Sequence, residues 1–99
     1  MTLYPFVLDY GAGTYVSQVS AASVEQAPMA WADSLRPGDV RGMGQASFKR
    51  LSAGLAAEAP QAVNGLRNTW CVTALVRGQL ALIHFIATLG PAAAAKRQR

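Results

Sequence analysis

The chain has one cysteine, one histidine and five acidic residues among its 99, which leaves little for chemistry that works through clusters of such groups. A lone Cys71 cannot close an internal disulfide. His84 is the only imidazole, and no serine sits in a G-x-S-x-G context, so a hydrolytic triad has no visible basis. A metal site would need that histidine, that cysteine and carboxylates at no recognisable spacing, so neither a metal nor a cofactor is expected. Asp9, Glu25, Asp33, Asp39 and Glu58 are spread too widely to argue an acid/base pair. Charged residues make up 14% of the chain, against about 25% in typical domains. With 52% hydrophobic residues, a disordered, highly charged chain is excluded. No run of about 18 apolar residues is present to form a transmembrane helix. The start shows no basic stretch leading into an apolar one, so a bacterial-type cytosolic protein with no membrane contact is expected.

What is present needs locating before it is used. The net charge is +4, but Lys96, Arg97 and Arg99 crowd the last four residues. Residues 1–95 carry Arg36, Arg41, Lys49, Arg50, Arg67 and Arg77 against five acids, a balance of about +1. Counterion release on nucleic acid needs several bases aimed at phosphates together. Arg36, Arg41, Lys49, Arg50 and the tail are the candidates for such contact, and the even balance does not favour it. Nineteen alanines inflate the apolar share, so the larger side chains near the two ends should build the core.

Tyr4–Tyr10 reads as a strand, with Pro5 near its start suiting an edge or the beginning of the element. Gly11-Ala12-Gly13 reads as a tight turn and Thr14–Ala21 as the returning strand. Ser23 and Gln26 resemble a capping box. Val24, Ala27, Trp31 and Leu35 then share one helical face. Pro28 leaves two solutions: an irregular first turn, or a helix starting near Ala27 with the proline at its first position. Residues 37–44, rich in glycine, read as an exposed and mobile loop. A second helix is expected over Ser47–Glu58, with Phe48, Leu51 and Leu55 on its stripe and Gly54 weakening it.

Thr69–Val76 and Leu80–Leu89 form a second hairpin around Arg77-Gly78-Gln79. The later strand is apolar on both faces, so it should be covered on both: by helices on one side and, through Leu82, His84 and Ile86, by an oligomer interface on the other. The expected architecture is α+β with order ββααββ. Four antiparallel strands in two hairpins carry both helices on one face. One domain over residues 1–90 precedes a disordered basic tail over 91–99.

If the second hairpin turns through Arg77-Gly78 alone, Cys71 falls opposite His84. A thiol beside an imidazole can be an activated nucleophile. A core position is the commoner fate of a free cysteine, and a three-residue turn would break the pairing. Tyr4, Tyr10 and Tyr15 can stack bases on a sheet face; without interleaved basic residues, core or interface packing is the better reading. Trp31 and Trp70 read as core anchors.

Gly13-Thr14-Tyr15-Val16-Ser17-Gln18-Val19, the tryptophan-bearing helix and Trp70-Cys71 opening a late strand resemble a group of short bacterial proteins of unknown function. That resemblance covers most of residues 4–89 and implies no activity. The hairpin-then-helix opening is also similar to HicB-type antitoxins, although a third early strand and a DNA-binding helical tail are missing. The expected function is a non-enzymatic protein-interaction or regulatory module acting as a homodimer, with room for a further protein partner. A nucleic-acid-binding regulator is the alternative.

Overall fold

Two tight turns set the registers of the two hairpins that make up most of the sheet. At the first, Gly11 has φ +60° and Ala12 keeps an ordinary φ, the type II′ arrangement that matches strand twist. It joins β1 (Thr2–Tyr10) to β2 (Gly13–Ala21) in an unbroken antiparallel register from Tyr10↔Gly13 to Thr2↔Ala21. At the second, Arg77 and Gly78 are both left-handed, φ 54° and 77°, a type I′ turn. The computed structural model describes residues 1–88; the tail expected over 91–99 lies outside them.

Between the hairpins lie α1 (Ala27–Ser34) and α2 (Gln45–Ala57). Then come β3 (Gln61–Ala62), β4 (Thr69–Val76) and β5 (Gln79–Ile86). The sheet therefore has five antiparallel strands in the order β2-β1-β5-β4-β3, and the chain order is ββααβββ rather than ββααββ. The added strand, β3, is two exposed residues paired as Gln61↔Cys71 and Ala62↔Trp70. Two residues cannot show a period of two, so the sequence carries no signal for it. The last strand ends at Ile86, short of the expected Leu89.

Pro5 sits inside the sheet, in the strand second from an edge. Tyr10↔Gly13 closes a two-residue turn, so even-numbered residues of β1 bond to β2 and odd-numbered ones face β5. The missing N–H of Pro5 thus points toward β5, where the pairing of the two strands stops at Phe6↔Phe85. Beyond the gap, the amide and hydroxyl of Thr88 both donate to the Leu3 carbonyl, at 3.1 and 2.7 Å.

α1 takes the second of the two starts, with Pro28 in its first turn. Ser23 Oγ accepts from the Gln26 amide at 3.2 Å just before it. Helix α1 packs on β2, α2 on β4, and the helices on each other. They cover the face carrying Tyr4, Phe6, Leu8, Val72, Ile83 and Phe85, all buried. Burying each large apolar side chain contributes about 1.5–3 kcal/mol. One aromatic row crosses this face. Phe6 stacks on Phe85 at 4.7 Å and 10°, and on Trp31 at 4.9 Å and 3°. Trp70 joins Phe85 at 5.9 Å, and Trp31 Nε1 donates to Ser17 Oγ at 2.9 Å.

Two expectations for the middle of the chain need revision. The glycine-rich loop after α1 is not wholly exposed: Val40 and Met43 are buried and pin it to the core. Asp39 braces its start, its Oδ2 accepting from the Arg36 amide at 2.7 Å. Gly54 is a contact rather than a weakness of α2. A Cβ there would lie 2.9 Å from the Ala74 Cβ, so only glycine lets the helix approach β4 this closely.

Candidate functional site

Alternation along the strands puts a second set of side chains on the face the helices leave bare. From β2 to β3 its middle row reads Val16, Val7, His84, Cys71, Gln61. The next row reads Thr14, Asp9, Leu82, Thr73, and beyond it Leu80 faces Leu75. Ile86 and Thr69 pair on the other side of the middle row. Val16 is 72% exposed, Leu75 70% and Leu80 55%, while Leu3 and Ile86 are each 39%. Large apolar side chains this open, gathered on one sheet face, are what an interaction surface looks like.

The strand that is apolar on both faces, β5, is central in the sheet. Ala81, Ile83 and Phe85 are fully buried under the helices. Leu82, His84 and Ile86 stand on the bare face as a column through its middle. Asp9 is the only carboxylate in these rows, at one end, where it accepts from Thr14 Oγ1 at 2.6 Å.

Cys71 lies directly opposite His84, because Val76↔Gln79 closes a two-residue turn. The pair is not in the core: both side chains are half-buried on the bare face. Partial burial pushes the Cys71 thiol up from its ordinary value, toward the protonated form that is neither nucleophile nor metal ligand. Among the described residues, no three histidine, cysteine or acidic side chains gather into a cluster.

The basic candidates are dispersed. Arg36 and Lys49 flank one cleft between α1 and α2, shared with Asp33. Arg50 is exposed on α2. Arg41 lies far along the loop, beside a different cleft that also takes in Arg77, a residue with no motif to single it out in the sequence. Tyr4 and Tyr10 are buried on the helix-covered side of the sheet, and Tyr10 there borders the cleft at the turn end. Tyr15 is partly buried, and its hydroxyl accepts from the Arg41 amide at 3.2 Å. Trp31 is a core anchor, and Trp70 packs against that core while half-buried.

Among the described residues, no helix is long and apolar enough to cross a membrane. Compared with known proteins, the chain matches no family model, no curated protein and no solved structure, so its function has to be read from its own residues.

Proposed function

We propose that the protein is a non-enzymatic interaction module that acts as a homodimer, two copies meeting through the bare faces of their sheets. The observation that carries this reading is the exposed apolar set Leu3, Val16, Leu75, Leu80 and Ile86, on and beside the central strand β5 of the bare face. Its size suits a second copy. Four strands about 4.8 Å apart and about eight residues long span roughly 500 Å² in projection, before side-chain relief is added. A standard interface takes about 800 Å² from each partner. Its charge suits a second copy as well: with one peripheral carboxylate, Asp9, in its rows, the face can meet its twin without like charges forced together.

Sedimentation of the full chain tests the reading. Twice the chain mass is expected at micromolar concentration. Replacing Leu80 and Leu82 together by lysine should return the mass of one chain while the circular dichroism of the fold is kept. A wild-type chain that stays single up to about 100 μM, weaker than a Kd worth about −5 to −6 kcal/mol, would sink the homodimer. Steeply salt-dependent capture of nucleic acid would put the regulator in its place.

A further inference from the structure

We infer that the turn end of the sheet holds a binding site for a small molecule bearing a phosphomonoester, separate from the bare face. The antiparallel pairing of β1 with β5 brings both hairpin turns to the same end of the sheet. The loop after α1 passes there too, and the three segments enclose a cleft of about 450 Å³. That lies within the range of small-ligand sites, about 300–1,000 Å³. Arg41 from the loop and Arg77 from the second turn both line it, with Tyr10, Tyr15 and Gln79. Among the described residues, no carboxylate lines it. Asp9, next to Tyr10 in sequence, belongs to the opposite face and is engaged by Thr14.

Both arginines are held by anchored backbone. Arg41 is flanked by buried Val40 and, two residues on, by buried Met43. Its own amide is tied to the Tyr15 hydroxyl. Arg77 occupies a two-residue turn closed by Val76↔Gln79. Holding the backbone in place reduces the ordering that a ligand must impose. Because the Tyr15 oxygen accepts from Arg41, its own proton is left to donate. Tyr10, by contrast, spends its proton on the Val76 carbonyl at 3.1 Å and contributes a wall. Gly11, Gly13 and Gly42 complete the lining; the Tyr15 ring lies over Gly13, while Gly11 and Gly42 leave their backbone open to a ligand.

Two arginines, a hydroxyl donor and the open backbone at Gly11 and Gly42 suit a compact dianion, since arginine grips phosphate oxygens bidentately. A phosphodiester offers one charge per phosphate, and a strand of them needs a track of bases. Among the described residues the other bases lead elsewhere: Arg36 and Lys49 border another cleft, which contains Asp33, Arg50 is exposed on α2, and Arg67 lies before β4 at the far end of the sheet. A small phosphomonoester therefore fits better than nucleic acid.

The test is amide and arginine side-chain NMR of the full chain, titrated with phenyl phosphate at constant ionic strength. Acetate and a single-stranded oligonucleotide without terminal phosphates serve as comparison probes. The expected result is saturable shifts at Gly11, Ala12, Arg41 and Gly42 with a millimolar or tighter Kd, about −4 kcal/mol or better. Arg77→Asn keeps a residue that tolerates the left-handed turn, and Arg41→Gln keeps the amide that meets Tyr15; each should weaken phenyl phosphate at least fivefold, with Arg50→Gln silent. Non-saturable shifts, equal affinity for acetate, tighter binding of the oligonucleotide, or indifference to both arginine substitutions would each overturn the assignment.

Discussion

The two faces of one sheet are built from the same strands and have opposite fates. Under the helices, Phe6, Phe85 and Ile83 are fully buried, and their neighbours interlock as an aromatic row. On the bare side, one residue along each strand, Val7, His84 and Leu82 belong to a layer to which, among the described residues, neither helix contributes. Strand alternation produces the division, and the two short helices provide enough surface for only one side. The lesson is that apolar content alone does not distinguish core from interface in a small chain. What distinguishes them among the described residues is whether a helix lies over them.

The comparison breaks first at the aromatic row. Phe6→Ala removes the ring that stacks on both Trp31 and Phe85, and urea denaturation should show a loss of about 3–5 kcal/mol, enough to unfold much of a marginal domain. The Leu80→Lys/Leu82→Lys pair should do the reverse. It should weaken self-association at least about tenfold, or 1.4 kcal/mol, while a monomeric urea transition moves little. Equal damage to folding from the two changes would erase the distinction between the faces.

A smaller effect sharpens it from the helix side. Gly54→Ala improves intrinsic helix propensity by up to about 1 kcal/mol, yet here it should destabilise by about 1–3 kcal/mol through overpacking on Ala74. Adding Ala74→Gly should restore most of that loss, as thermal melts would show. The smallest effect is at Cys71, whose raised thiol should alkylate slowly near neutral pH and faster as pH rises and the thiolate forms. Diluting the protein should speed the reaction further if the homodimer covers the bare face, which mass spectrometry of the adduct can follow.

Much of this frame was legible in the residues. Gly11-Ala12-Gly13 and Arg77-Gly78-Gln79 marked both turns. The doubly apolar stretch Leu80–Ile86 pointed to a central strand with a second face to cover, and the Cys71↔His84 pairing hung on a turn length that the residues left open and the structure sets at two. The rest depended on long-range packing. β3 is too short to carry a pattern. Val40 and Met43 look like loop residues until the core takes them in, and Gly54 reads as a helix defect until Ala74 is placed beneath it. Arg77 gave no sign of sharing a cleft with Arg41, because a pairing across 36 positions leaves no local period to read.

The aromatic row also gives the molecule an optical voice. Trp31 is 1% exposed, lies nearly parallel to Phe6, and has its indole N–H committed to Ser17. Trp70 belongs to the same helix-covered side, against Phe85. Both indoles therefore look away from the face proposed to bind a second copy. Tryptophan emission should follow folding alone, staying constant on dilution as a dimer parts into folded chains. A wavelength shift that tracked mass instead would mean that separation and unfolding are one event, and that each copy needs the other to hold its shape.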